Sequence, residues 1–420
     1  MLTEPPSSLG TRLLSMAANS LARLLPNDEE LTAVEHFAQK LFTPIQIGPL
    51  MLAHRVVMAP LTRSRSQQPG DIPGDLMREY YTQRASKGGF IVSEATTISP
   101  SAKGWFGAPG IYTDEQVAGW RGITAAVHAK GAYIFSQLWH TGRASHIDTS
   151  GFMPVTSFDD PNYMRDETIK VSTPQGWAHP SQHRALEIRE IRGIIEDYRK
   201  AAERAKDAGF DGVELHSGNG YLPDQFLQDG VNKRTDAYGG SIENRSRFLL
   251  EVVSALVDVW GANHVGVRIA PGGRWNGMSD SDPDALFDYV ASQLNWFGLA
   301  YLHIIEPRIR GNTLVAEGQS PIAAERLRKI FNGTIIAAGG FEPETAEKAV
   351  ESGIADLVAF GKHFVANPDL PKRIRLGLPL NAYDRSTFYT FDARGYIDYP
   401  FYEELPREAG ATGDQVLRTR

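Results

Sequence analysis

Cysteine is absent from the 420 residues, which removes disulfides, thiolate nucleophiles, iron–sulfur ligation and sulfur-based zinc sites. The 11 histidines form no HExxH pair, so that helical zinc arrangement is missing too. No run of about 18 apolar residues occurs, and no helix of this chain is expected to span a bilayer. Surplus positive charge is lacking as well. The formal net charge is -7, so the overall field attracts neither nucleic acid nor an anionic membrane surface. What is present, 42% hydrophobic and 22% charged residues, suits a sizeable core and excludes disordered, collagen-like and coiled-coil classes. The length allows two or three domains or one large α/β barrel.

From Leu41 onward, short apolar runs alternate with amphipathic stretches. Strands are expected at Val56–Ala59, Phe90–Glu94, Tyr133–Leu138, Gly212–His216, Val265–Ile269, Tyr301–Ile305, Thr334–Ala338 and Asp356–Phe360. Helices are expected at Asp75–Ser86, Asp114–Ala129, Ile191–Ala208, Ile242–Trp260, Pro283–Phe297, Pro321–Phe331, Pro343–Ser352 and Pro368–Leu376. Such alternation predicts a closed parallel (β/α)8, or TIM, barrel. The interval between strands three and four is about twice as long as most others. Its Thr141–Arg184 stretch, rich in Pro, Gly, Ser and Asp, reads as an insertion, a long loop or small hairpin over the barrel mouth. Pro44–Arg55 reads as a hairpin turning at Gly48 and Pro49 and closing the barrel floor.

Barrel chemistry sits where the strands end at their carboxyl side. Those positions hold Pro60 and Thr62, Ala95, Gln137, Trp139 and His140, then His216, Asn219 and Tyr221, and Arg268. Strands seven and eight are followed by AAGGFEP, with Gly340, and AFGKHF, with Gly361 and Lys362. Glycines there let backbone N–H groups approach a phosphate, to which Lys362 adds a point charge. Alone, these turns are better read as ordinary tight turns with Lys362 solvated.

The segment HSGNGYLPDQFLQDGVNKRTDAYGGSIENRSRF at 216–248 is far more specific. With APLTRSR at 59–65, EATTISP at 94–100, QLWHTGR at 137–143 and VGVRIAP at 265–271, it closely resembles the old yellow enzyme family of flavin-dependent ene-reductases, the kind that includes 12-oxophytodienoate and N-ethylmaleimide reductases. The resemblance runs from about Leu41 to Pro400. It implies an eightfold barrel holding non-covalent FMN, reduced by NADPH and reoxidised by an activated alkene such as an enone. Carried over residue by residue, it implies that Pro60, Thr62, Ala95 and Gln137 line the flavin, Thr62 near the C4 carbonyl and Gln137 at the pyrimidine edge. Arg268 is implied beside N1 and the C2 carbonyl. A cation there stabilises the anionic reduced ring, a physical reason that stands apart from the family.

His216 and Asn219 match the pair that holds the substrate carbonyl oxygen, where charge builds as hydride reaches the β-carbon. Tyr221 matches the proton donor to the α-carbon, and its ordinary pKa near 10 keeps it protonated at neutral pH. Trp139 is read as shaping the pocket, with a packed aromatic as the alternative, and Tyr389 as a further pocket aromatic. Three departures stand out. Lys362 replaces the arginine common in the family, losing the bidentate fork. Thr390 and Phe391 stand where some members have two glycines, and the first forty residues have no counterpart in shorter members.

The expected organisation is therefore an extension over 1–40, one FMN-binding barrel over 41–400 and a tail over 401–420. Within the extension, Gly10–Pro26 places leucines at helical spacing, either a helix packed on the body or an organelle-targeting segment. The expected compartment is cytoplasmic, with targeting as the alternative, and the expected partner is a small-molecule alkene, with monomer and homodimer both open. Two other functions compete with ene-reduction: redox-neutral flavin-dependent alkene isomerisation, against which Tyr221 argues because prompt protonation traps the reduced product, and flavin or ligand binding without turnover. An aldolase barrel is disfavoured, since no lysine stands at a strand end in a dry setting.

Overall fold

The computed structural model describes residues 40–310, 313–314 and 322–402. The amphipathic Gly10–Pro26 stretch and nearly all of the tail lie outside them. A hairpin comes first, β1 (Ile45–Ile47) and β2 (Leu50–Leu52), antiparallel. At its turn Gly48 has φ 52, and a Cβ there would stand 2.0 Å from the Asn263 carbonyl oxygen, so glycine answers both the backbone and the space. Ile47 and Leu52 are buried with the residues inside the barrel, and the hairpin is the floor the sequence suggested.

Eight parallel strands follow: β3 (Val56–Met58), β4 (Phe90–Val92), β5 (Tyr133–Trp139), β6 (Gly212–Ser217), β7 (Val265–Ile269), β8 (Tyr301–Ile305), β9 (Ile335–Ala338) and β10 (Leu357–Phe360). Each pairs with the next in chain order, and β10 pairs with β3, so the sheet closes on itself without an edge. Side chains alternate between two apolar layers. Inside lie Val57, Phe90, Val92, Phe135, Tyr301 and Ile336, with Phe90 edge-on to Phe135 at 5.1 Å. Outside, residues such as Val213, Leu215, Val265 and Val267 meet the helices.

The helices fall where periodicity placed them: α1 (Asp75–Arg84), α2 (Asp114–Ala129), α3 (Ile188–Asp207), α4 (Leu222–Leu227), α5 (Ile242–Trp260), α6 (Pro283–Leu294), α7 (Ile322–Arg328), α8 (Pro343–Glu351), α9 (Lys362–Ala366) and α10 (Leu370–Arg375). In α3 the buried Ile191, Ile194, Tyr198, Ala201, Ala202 and Ala205 form one stripe. A Thr113–Gln116 capping box starts α2. Additions to the expected set are the short α4 and α9 and a four-residue helix, Ile147–Ser150, in the insertion. The insertion after β5 carries the hairpin Val171–Thr173 with Gly176–Ala178 and brings Thr168, Lys170 and Trp177 to the barrel mouth.

Candidate active site

At the carboxyl ends of the strands lies a cavity of about 720 Å3. Pro60, Thr62, Ala95, Gln137, Trp139, His216, Asn219, Tyr221, Arg268, Gly340, Gly361, Lys362 and Tyr389 all line it. The expected cofactor, substrate and catalytic residues are thus brought to one cavity, while His140, also at a strand end, does not line it. Among the described residues that line it none is an Asp or Glu, whereas Arg63, Lys170, Arg268, Lys362 and Arg385 are among them. In a chain of net charge -7 that local bias marks a place for an anion.

Strand register builds the floor of the site. Gln137 stands opposite Glu214, His216 opposite Arg268, and Arg268 opposite His303. Glu214 is fully buried and anchors this polar layer, accepting from Gln137 Nε2 at 2.7 Å and meeting His303 Nδ1 at 2.8 Å. Burial alone would raise the Glu214 pKa, but His303, Arg268 and the Gln137 hydrogen bond outweigh it and hold the carboxylate ionised. Glu214 and His303 are residues the sequence reading missed. Their signal was available, a charged or titratable residue inside the apolar runs GVELHS and YLHII.

His216 and Tyr221 face the cavity above that layer. Burial, with Arg268 and His303 adding to it, lowers the His216 pKa well below its ordinary value, so the ring is neutral at working pH. The rings of His216 and Tyr221 lie 5.0 Å apart at 74°, and Trp139 meets Tyr221 edge-on at 4.9 Å. Burial, with Tyr389 and Tyr163 adding to it, raises the Tyr221 pKa, which keeps the phenol protonated. Trp105, Trp177 and Tyr389 form an aromatic group at the mouth, Trp105 to Trp177 at 5.1 Å and to Tyr389 at 5.0 Å.

The fit of these groups to a flavin mononucleotide rests on unsatisfied polar atoms and on backbone shape. Arg268 Nε, His216 Nδ1 and Trp139 Nε1 are buried without a hydrogen-bond partner, a costly state unless a bound molecule supplies one. Gly339 and Gly340 have φ 111 and 69, and a Cβ on Gly339 would press on Ile309 and Glu306. Backbone without a side chain at these positions suits the close approach that a phosphate group would need. Lys362 stands beside them, its Nζ 3.0 Å from Glu342 Oε1. Among the described residues no cluster of His, Asp and Glu could hold a metal ion.

Comparison with known proteins identifies the family of the chain. The chain is 48% identical over 379 residues to 12-oxophytodienoate reductase 1 of Oryza sativa subsp. japonica, covering 89% of this chain and 96% of that protein. It is 44% identical to the flavin oxidoreductase hxnT of Emericella nidulans, over 86% and 98% of the two chains. Among solved structures, morphinone reductase superposes with a TM-score of 0.80 at 48% identity, covering 88% of this chain and 98% of that one. The old yellow enzyme homologue from Zymomonas mobilis gives 0.80 at 40% identity, over 86% and 99%. With the family profile matching residues 40–381, the chain belongs to the NADH:flavin oxidoreductase / NADH oxidase family, that of the old yellow enzymes, and is an FMN-dependent oxidoreductase.

Proposed function

We propose that this enzyme reduces the carbon–carbon double bond of enones and similarly activated alkenes at the expense of NADPH. The observation that carries the reading is the convergence of His216, Asn219 and Tyr221 on one cavity, with a neutral imidazole and a protonated phenol. FMN, when bound, supplies the electron pair and hydrogen that reach the alkene β-carbon, and regains them from NAD(P)H. Pro60, Thr62, Ala95 and Gln137 would line its ring, Arg268 would face its electron-rich edge, and Gly340, Gly361 and Lys362 would hold its phosphate.

As the β-carbon gains its hydrogen, negative charge moves to the substrate carbonyl oxygen. His216 and Asn219 donate hydrogen bonds to that oxygen, and because they are already in place they favour the charged transition state over the neutral ground state. A neutral imidazole donates through one N–H and accepts at the other nitrogen, so the single N–H must face the substrate. Tyr221 then delivers its phenolic proton to the α-carbon and is reprotonated from solvent. Trp139 and Tyr389 bound the space in which the alkene lies.

The test uses purified protein. It is expected to be yellow, to release FMN and not FAD on denaturation, and to oxidise NADPH faster when 2-cyclohexenone is added. Colourless protein that cannot be reconstituted with FMN would sink the reading, and so would NADPH oxidation indifferent to every enone and nitroalkene offered.

A further inference from the structure

The turn between β6 and α4 passes through two consecutive left-handed residues, Asn219 with φ 58 and Gly220 with φ 70. Such geometry is free for glycine but uncommon for asparagine, and the pair needs support from outside the turn. Space is tight as well, since a Cβ on Gly220 would stand 2.6 Å from the Trp275 carbonyl oxygen. Three buried side chains supply the support. Asp224 Oδ2 accepts from the Gly220 N–H at 2.8 Å. Gln225 Nε2 donates to the Gly220 carbonyl at 2.7 Å and to the Thr141 carbonyl at 3.1 Å. Asn276 Nδ2 donates to the Asn219 carbonyl at 2.9 Å.

These supports are themselves fixed. Asp224 Oδ1 accepts from Gln228 Nε2 at 2.8 Å, and Gln225 Oε1 accepts from the Arg143 N–H at 3.2 Å. Asn276 sits in a left-handed position of its own, φ 58. Segments following β5, β6 and β7 thus meet on one turn, and the three side chains satisfy its Asn219 carbonyl and both polar groups of Gly220. None of the three lines the cavity, whereas the residues just before, within and after the turn, His216, Asn219 and Tyr221, all do.

We propose that Asp224, Gln225 and Asn276 are positioning residues for alkene reduction, holding the Asn219–Gly220 turn so that the Asn219 amide and the Tyr221 phenol address the same substrate together. The proposal rests on the roles given above to Asn219 and Tyr221. A misplacement of about 1 Å at a reacting group costs on the order of a hundredfold in rate, so a turn with two left-handed residues would squander both groups if it relaxed.

Asn276→Asp keeps shape and left-handed tolerance but turns a donor into an acceptor facing the Asn219 carbonyl. Asp224→Asn replaces one of the two accepting oxygens with an NH2 donor. Each FMN-loaded variant is reduced with dithionite and mixed with 2-cyclohexenone in a stopped-flow instrument, so that nicotinamide binding plays no part and Kd and limiting rate separate. The expected result is normal FMN content with a limiting rate of reoxidation about 10- to 100-fold below wild type. Little further loss is expected when either change is added to the Asn219→Ala, Tyr221→Phe double variant, because nothing is then left to position. If Asp224→Asn fails to fold, Asn276→Gly, which keeps the backbone freedom and loses only the donor, is expected to show the same slow limiting rate. Wild-type limiting rates in the Asn276 variants, or losses that multiply with those of the double variant, would overturn the proposal while slow Asn219→Ala and Tyr221→Phe enzymes left the catalytic roles standing. Wild-type rates in Asn219→Ala and Tyr221→Phe themselves would overturn those roles and the proposal with them.

Discussion

On the proposed mechanism Tyr221 is the residue at which the two halves of the catalytic cycle part company, its proton needed only by the alkene, whereas NADPH would give up its electrons without an acid. Tyr221→Phe removes the hydroxyl and keeps the ring that packs on Trp139 and His216, so FMN binding and cavity shape should survive. Reduction of the flavin by NADPH is then expected within a few-fold of wild type, while its reoxidation by an enone falls by roughly a hundredfold to ten-thousandfold. Nitroalkenes should suffer less, because the nitronate formed waits for solvent to protonate it. Equal slowing of both steps in stopped-flow absorbance would assign Tyr221 a packing role instead. His216 carries a second expectation. A ring held neutral by burial takes up no proton between pH 5.5 and 8, so no break in the enone rate over that range should disappear in His216→Asn. Such a disappearance would show a titrating imidazole. These residues were legible because each stands at a strand end in a stretch with specific spacing. Glu214 and His303 left a signal as polar residues inside apolar runs, but their partners, like those of Gln225 and Asn276, depend on which carbonyl or carboxylate the fold brings opposite them, and one sequence does not state that register.

At the scale of elements, the barrel strands were read to within one or two residues because buried parallel strands are short apolar runs with sharp glycine and proline boundaries. The helix α4 was missed for a physical reason: six residues, LPDQFL, are too few to display a 3.6-residue period, and every one is buried, so no polar face marks it. The mouth residues Thr168, Lys170 and Trp177 were missed because an irregular insertion has no period at all. Strand glycines carry an element-scale prediction. Gly266 in β7 leaves room for the Tyr301 ring, and a Cβ there would come within 2.3 Å of it. The ring lies inside the barrel against Phe90 and Phe135, with no free side to move toward. Gly266→Ala is therefore expected to destabilise the fold by about 1–3 kcal/mol, as overpacking does, whereas Gly193→Ala on α3, where nothing lies within 4 Å, should be neutral or mildly stabilising. Chemical denaturation of the two variants side by side checks this, and equal midpoints would mean that the barrel interior is looser than its contacts indicate.

Across the whole molecule, groups buried in their neutral forms set how stability responds to pH, and they pull in opposite directions. Burial lowers His54 from 6.5 to about 4 and His140 to about 3, and His216 falls well below 6.5 for the same reason. Below pH 6.5 the unfolded chain takes up protons at these rings that the native state refuses, so stability falls as the medium becomes acidic. Glu94 and Asp224 act the other way. Burial raises Glu94 from 4.5 to about 7, against the pull of Arg63, and raises Asp224 from 3.8 to about 7, against its hydrogen bonds from Gln228 and Gly220. Above pH 4.5 the unfolded chain has released protons that the native state keeps, so stability drains away as pH rises and the loss is complete past 7. For a fully buried carboxyl shifted this far the loss is on the order of 3 kcal/mol. Between pH 4.5 and 6.5 both slopes operate and the histidines, with His183 and His303 lowered by burial in the same direction, outweigh the two carboxyls. Past 6.5 the histidine contribution fades as the unfolded rings lose their remaining protons, and the carboxyl decline takes over. The FMN-loaded protein should accordingly melt highest at about pH 6.5. Glu94→Gln should flatten the fall between pH 6.5 and 8 and steepen the rise between pH 4.5 and 6.5, leaving the slope below pH 4.5 unchanged. A melting temperature that climbs steadily from pH 6.5 to 8.5, or an alkaline decline untouched by Glu94→Gln, would show that the buried carboxyls are ionised in the native state and are held there by neighbours such as Arg63.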